Sequence, residues 1–489
     1  MRSRLSRLHA TRGLRRWGSP HRTRFRCRTS GSDPLNVTTT NTYDGRGNLA
    51  STTRPLTGTS QTATVTYTYD PNKAGDMTSM TDADGKVWQY AYDQYGDRIK
   101  VIDTLGNATT YGYDTLGRMT STVSPKGNVA GCGCQSQYTT SYAYNPFGDR
   151  LTATDPLSHQ TAYQYDGDRN ATKVTDANNH ATSYTYDKDN ELTVVTRADA
   201  TTLLTDYNPD GTVLDQKDGK ASAIVTYAYD ALARVTSTTD ALGNATSYSY
   251  DGAGNRLSQQ DPGGNCAATP KTGCTTFTYD VANELKTITY SDGATPNVSN
   301  ITYDADGQRT AMVDGTGTSS WVWDSLHRLT SYTNGNAAQV QYAYNLRGLP
   351  TTITYPGSLN VTRAYDDAGR FTSVQDWLSN TTTFAYDANS NLTTETLPAG
   401  VGVVDTYSFD AADRLMAVAD VRGSTTLFSA AYSRDSVNQL TSDSSAPSTS
   451  GSYQYTTTNQ VCYAGAANAT ACSLPHRQRR LMPMMLATT

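Results

Sequence analysis

Nineteen aromatic residues close strand-like stretches along this chain, most of them as Tyr-Asp followed by a short turn, and their commonest spacing is 21 residues. They stand at Tyr43, Tyr69, Tyr92, Tyr113, Tyr144, Tyr165, Tyr186, Tyr207, Tyr229, Tyr250, Tyr279, Tyr303, Trp323, Tyr344, Tyr365, Tyr386, Phe409, Tyr432 and Tyr455. A fixed period in this range implies a repeat architecture, in which no unit buries its own apolar face and each must stack on its neighbours. Length alone would divide 489 residues into about three domains, but a continuous repeat makes one array of them.

Residues 109–130 show the unit. Tyr111 and Tyr113 alternate, so both rings leave one face of a strand. Asp114 and Gly117 occupy the first and fourth positions of a type I turn. Arg118 to Val123 returns as a second strand, and Gly127-Asn128 marks the next reversal. The pattern recurs at Tyr90-x-Tyr92-Asp93 and Tyr248-x-Tyr250-Asp251, with second turns such as Asp103-Thr-Leu-Gly106-Asn107 and Asp240-Ala-Leu-Gly243-Asn244. Two turns about ten residues apart leave room for two short strands and none for a crossover helix. The expectation is an all-β, antiparallel hairpin-repeat sheet over residues 37–473, continuous and curled by strand twist. Ordering one such unit costs roughly 20–40 kcal/mol of backbone entropy, while a cross-strand aromatic pair returns about 0.2–1 kcal/mol. A single hairpin therefore cannot persist alone.

Composition agrees with strands and turns: 34 Tyr against 7 Phe, with hydrophobic residues at 36% and charged residues at 17%. Removing the ten Arg of residues 1–30 and the three at Arg477, Arg479 and Arg480 from the net charge of −5 leaves −18 on the remainder. Such a body repels phosphate, which excludes nucleic acid as its partner. No run of about 18 apolar residues exists to span a membrane as a helix, and the N-terminus lacks the apolar core of a secretory signal.

The pattern Tyr-Asp-x-x-Gly-Arg, intact at Tyr113 to Arg118 and Tyr365 to Arg370, resembles the YD repeat of Rhs proteins and teneurins, and the resemblance covers about residues 37–473. It implies hairpins in a long sheet that spirals into a hollow shell. Bacterial members enclose a toxic C-terminal segment, and animal members use the fold in cell-surface adhesion. The shell would then be secreted or lie at a cell surface. The family's autoproteolytic Asp-Pro-x-Gly-Leu stretch has no counterpart here. The partial matches Asp155-Pro156-Leu157-Ser158 and Asp261-Pro262-Gly263-Gly264 read as repeat turns, and no toxin domain follows.

The ends differ from the repeats. Residues 1–36 read as an Arg-rich segment, disordered or out of frame, with a binding arm as the alternative. Residues 474–489 read as a frameshifted, unstructured tail. A shifted frame from the third base of the Leu481 codon permits Tyr-Ala-Tyr-Asp-Ala-Gly-Asp-Asn, and Tyr227-Ala-Tyr-Asp-Ala231 already occurs upstream. On this reading the chain is a fragment, an incomplete shell that associates through its open strand edges.

Six of the seven Cys form close pairs: Cys132 with Cys134, Cys266 with Cys274, and Cys462 with Cys472. The first two pairs lie in the longest inserts, between Tyr113 and Tyr144 and between Tyr250 and Tyr279. Disulfides that pin loop bases are expected, with free thiols or a metal as alternatives. The Cys132-Gly-Cys134 loop is short for disulfide geometry. Asp82-Ala-Asp84-Gly85, Asp304-Ala-Asp306-Gly307 and Asp187-Lys-Asp189-Asn190 lack the remaining ligands of a calcium loop and read as turns. His159, His180 and His327 fall at turns with no Gly-x-Ser-x-Gly nucleophile to serve, and no phosphate loop is present. The expectations are therefore no catalytic, cofactor or metal residue. Tyr92, Tyr113, Tyr144, Tyr165, Tyr186, Tyr229, Tyr250, Tyr344, Tyr365 and Tyr386 are structural, packing the sheet rather than stacking on sugars. The function read from the sequence is a non-enzymatic wall whose partner is an enclosed polypeptide or the remainder of its own shell. A cell-surface carbohydrate-binding or adhesion module, with glycan partners, is the alternative.

Overall fold

The computed structural model describes residues 29–466 apart from 57, 74, 448 and 449. All regular structure there is antiparallel strand, save two short 3-10 turns at Pro125–Asn128 and Gln135–Tyr138. Apart from the step from Leu285–Tyr290 to Asn300–Tyr303, each strand pairs with the next in sequence, so the topology is a meander.

Local chemistry fixes the unit. In the Tyr113 hairpin, Gly117 N–H donates to the Asp114 carbonyl at 3.0 Å and Asp114 N–H donates to Arg118 O at 3.0 Å. Gly117 has φ +73°. This is a type I turn closed by a left-handed residue, the geometry that returns a strand with the correct twist. Asp114 Oδ1 accepts from Leu116 N–H (2.9 Å) and Arg118 N–H (3.0 Å), holding the turn from within. The same Asp clamp recurs at the second turns, as at Asp103 with Leu105 and Asn107. Where Gly is missing from the left-handed position other residues fill it, among them Ala200, Ala221, Ala233, Ala337 and His327.

Two differences from the sequence reading emerge. The meander is divided into a 23-stranded sheet and a 16-stranded sheet, where one continuous sheet was expected. The interruption is residues 291–299, where Asp292 folds a loop onto Ala294 and Thr295 and Pro296 has no N–H for a ladder. One bridge, Ile288 to Val298, still crosses it. The second difference is at Tyr432. The strand Thr425–Arg434 runs two residues further, and Arg434 pairs with Leu440 as Tyr113 pairs with Met119. Arg434 holds the motif position, which restores the 21-residue spacing to Tyr455.

Among the described residues no second layer covers the sheets. Among the described residues the buried apolar set is Val37, Cys274, Ile301, Ile353, Val403 and Ala430, and no side chain is fully enclosed. Half-buried and exposed residues alternate along strands such as Val87–Tyr92, with Trp88, Tyr90 and Tyr92 on the covered face. Burial therefore comes from neighbouring side chains on one face of a single-layer wall.

Candidate functional site

The wall is held together by the motif residues themselves. Between consecutive hairpins the ladder is short. The facing pairs are Lys100 with Thr110, Val101 with Thr109 and Ile102 with Ala108, after which the strands separate. Arg98 lies beyond them and faces no residue of the strand Ala108–Tyr113; the Tyr113 hydroxyl bridges the gap, donating to the Arg98 carbonyl at 3.1 Å. The same bond joins Tyr144 to Met119 O (2.8 Å), Tyr165 to Arg150 O (3.0 Å), Tyr186 to Ala171 O (3.1 Å) and Tyr250 to Val235 O (2.8 Å). Tyr229, Tyr344, Tyr365 and Tyr386 repeat it on Val213, Leu329, Pro350 and Phe371. Of the ten tyrosines singled out from the sequence, Tyr92 alone lacks this bond among the described residues.

The sequence reading misses this role, although the excess of Tyr over Phe is its signal. A covered carbonyl needs a donor, and where the aromatic changes a donor is kept: Trp323 Nε1 donates to Arg309 O at 2.9 Å, and Arg434 Nε to Leu415 O at 3.3 Å. Phe409 is the exception and has none to offer. The hydroxyls of Tyr113, Tyr165, Tyr186 and Tyr344 are harder to ionise than free phenol, with burial the leading cause.

The motif Arg works in the opposite direction. Arg118 donates to Asp114 Oδ2 (2.6 Å) within its own turn and to Asn145 O (2.6 Å) in the next, and lies 5.2 Å from the Tyr144 ring centre. Arg370 does the same with Asp366, Asp387 O and Tyr386. Repeats that carry this Arg, among them those of Arg118, Arg234, Arg328, Arg370 and Arg414, are thus tied forward by Arg as well as backward by the next Tyr or its substitute donor.

Edge-to-edge contacts then join turns far apart in sequence. Ser325 Oγ donates to Pro55 O at 2.8 Å, Arg347 pairs with Asp82 at 2.9 Å, and Lys86 pairs with Asp367 at 2.6 Å. Lys126 pairs with Asp387 at 2.5 Å while its backbone N–H donates to Asn389 Oδ1 at 2.8 Å. Further along, Asn178 meets Asp435 and Asn459 meets Asp176, at separations of 257 and 283 residues. Second turns of the first sheet therefore rest on motif turns of the second in a regular seam. One circuit of the wall takes roughly this many residues, or the 24 strands from Leu49–Pro55 to Gly317–Trp323. At about 4.8 Å per strand the circumference is about 115 Å, and the backbone ring is about 37 Å across.

The remaining sequence candidates fall as follows. Cys266 and Cys274 are bonded across a lengthened hairpin, with Cα atoms 5.2 Å apart, and Cys132 is bonded to Cys134. Cys462 lies on the strand Val461–Ala466, while Cys472, residues 1–28 of the Arg-rich segment 1–36 and the whole tail 474–489 lie outside the described residues; within 1–36, Ser30–Ser32 is a strand paired with Thr38–Thr40 where disorder was expected. Gly127-Asn128 sits in the 3-10 turn Pro125–Asn128 of an insert, where a simple reversal was expected. His159 pairs with Asp155 at 3.0 Å, whereas His180 and His327 lie on the seam, within reach of Asn459 and Asp33 respectively. Asp84 Oδ1 accepts from Leu346 N–H across the seam at 3.2 Å. No helix among the described residues is long and apolar enough to cross a membrane, which leaves strand-built spans unaddressed.

Comparison with known proteins supports the architecture. The teneurin YD-shell model matches residues 271–464, and the RHS repeat model matches 72–108, 95–129, 144–180 and 229–265. No curated protein sequence matches. The crystal structure of TcdB2-TccC3-Cdc42 is similar at 13% identity and a TM-score of 0.57, over 87% of this chain and 26% of that one. TcdB2-TccC3 without its hypervariable C-terminal region gives 0.58 at the same identity and coverage. The Tc holotoxin pore of Photorhabdus luminescens gives 0.56 at 13% identity, over 87% of this chain and 29% of that one. The chain thus spans between a quarter and a third of the length of these structures, and the likeness concerns the fold. With RHS repeats matched between residues 72 and 265 and the teneurin YD-shell over 271–464, the chain carries RHS/YD repeats along most of its hairpin wall.

Proposed function

We propose that this chain is a non-catalytic wall segment of a hollow shell that encloses a polypeptide. The seam carries the reading, because a sheet that returns onto its own edge after one circuit encloses space rather than presenting a flat surface. Allowing about 5 Å of side chain on each side of a sheet, half the spacing of packed sheets, a ring about 37 Å across leaves about 27 Å clear. A folded 100-residue domain has a radius of gyration of about 13 Å, so the space favours an extended or loosely folded occupant. The similar structures are complexes named for TcdB2 and TccC3, which supports a place in a secreted toxin assembly with the rest of the shell supplied elsewhere. A glycan-binding surface would need clustered open rings; the exposed Tyr95 and Phe147 stand apart at turns, and Tyr355 with Trp377, ring centres 6.3 Å apart, is a single exposed pair.

Two measurements on the full chain test the reading. Electron microscopy should show hollow rings or short spirals. A reporter polypeptide appended after residue 489 should be digested more slowly than the free reporter, with protection lost in Lys126→Glu, which opposes Asp387 across the seam. Solid particles, or equal digestion in all three cases, would overturn the proposal. Strong binding to a glycan panel with no protection would favour adhesion.

A further inference from the structure

Where the seam begins, three potential metal ligands from separate turns converge. Asp33, Asp306 and His327 each place one ligand atom within 4.8 Å of the others. The Asp306 side chain is 5% exposed, and neither carboxylate oxygen has a hydrogen-bond partner. Two residues on, Gln308 Oε1 is likewise buried and unpartnered. Buried carboxylates are normally paired or coordinate metals, because an unpaired one forfeits its hydration. The identical tetrapeptide at Asp82 has no such deficit, since Asp84 accepts across the seam.

The nearby cation does not remedy this. Arg54 holds Asp33 Oδ2 and the Ser325 carbonyl and lies 2.9 Å from His327 Nε2, with no bond to Asp306. On the other side of the ring, His327 Nδ1 stands 3.6 Å from Asp306 Oδ2. Two donor atoms each about 2.1 Å from one ion at a tetrahedral angle stand about 3.4 Å apart. We propose that Asp306, His327 and Asp33 bind a divalent transition-metal ion of the zinc class. An imidazole with two carboxylates suits such an ion better than calcium, which prefers an all-oxygen shell. Asp33 precedes the strand Thr38–Tyr43 of the first sheet, whereas Asp306 and His327 flank strands of the second, so the ion links the two sheets. With Nδ1 as the imidazole ligand, Arg54 beside Nε2 competes only for Asp33, and loading requires it to release Asp33 Oδ2.

Zinc chloride titrated by calorimetry into chelator-treated full chain, with its disulfides oxidised, is the test. One equivalent should bind, with a rise in melting temperature. Asp306→Asn and His327→Asn should each weaken binding at least about 10-fold, and Arg54→Gln should tighten it. Asn is chosen at 327 because it tolerates the φ of +61° there. Asp84→Asn should bind as the parent does, and circular dichroism checks that every variant keeps its sheet. Absence of stoichiometric uptake overturns the proposal, as does uptake unchanged in both Asp306→Asn and His327→Asn. Preference for calcium over zinc overturns the donor-set argument. A parent that binds no zinc but is stabilised by Asp306→Asn would show a merely unpaired carboxylate.

Discussion

Replacing a motif tyrosine by phenylalanine removes one hydroxyl and leaves the ring, so it isolates the bond that ties each repeat to the one before. Tyr165, Tyr186 and Tyr250 donate at 3.0, 3.1 and 2.8 Å to backbone carbonyls of the preceding hairpin, at points where the two strands have already separated. An intramolecular hydrogen bond contributes about 0.5–1.5 kcal/mol net, so each change should cost about 1 kcal/mol. Tyr165 and Tyr250 are four repeats apart, so their effects should add. The triple variant should lose about 3 kcal/mol, a large part of the roughly 5–15 kcal/mol typical of folded proteins. Tyr184→Phe, two residues before Tyr186 on the same strand, is the control. Denaturant melts give the total, and hydrogen exchange on peptides across the separated strands gives the local effect, which matters because repeat arrays open piecewise. The reverse substitution, Phe409→Tyr, should supply the missing donor to Leu392 O and gain up to about 1 kcal/mol. If the three Phe variants match Tyr184→Phe within about 0.3 kcal/mol, and Phe409→Tyr gains nothing, the hydroxyl does not hold the wall and the reasoning fails.

Ala200, Ala221, Ala233 and Ala337 occupy left-handed turn positions at φ of 58° to 63°, where an L residue is strained by about 1–2 kcal/mol. Each Ala→Gly change should therefore raise stability by roughly 0.5–1 kcal/mol after the flexibility of Gly is deducted, and a fall in the denaturation midpoint would contradict this. Asp44, Asp240, Asp251 and Asp376 are held below the ordinary value of 3.8, first by the side-chain amide of the Asn four residues on and also by backbone N–H groups. Their stabilisation is present above 3.8 and lost as pH falls through the lower folded value, so melting temperature should drop in strong acid and drop less when these Asp are changed to Asn. Asp405 behaves oppositely: burial, then Asp420 and Glu395 facing it across neighbouring strands, raise its pKa. Stability from this site is fullest below 3.8 and declines as pH rises through the raised value, so Asp405→Asn should gain a few tenths of a kcal/mol at neutral pH, and no gain would discount the repulsion. Non-reducing mass spectrometry should recover Cys266 and Cys274 as one linked peptide pair; recovery of both as free thiols after air oxidation would reject the bridge.

The repeat unit is legible from the residues alone. Tyr-x-Tyr alternation, Asp at the start of each turn and Gly at its end act within about ten residues, and such local preferences do not depend on what lies elsewhere. From them follow the all-β class, the meander and the place of nearly every hairpin. Tyr432 is the exception because the motif position there belongs to Arg434, which supplies the same donor without being aromatic. Everything that depends on the sum of many hairpins was decided by tertiary structure. Strand twist adds at every step, and a difference of about one or two degrees per strand, summed over 24 strands, shifts the circuit by about two or three strands. The pairing of Lys126 with Asp387, the acceptor of each tyrosine hydroxyl, and the convergence of Asp33, Asp306 and His327 all follow from that sum. Pro296 divides the sheet for a local reason, but only the assembled wall brings the next motif turns to rest on the first circuit.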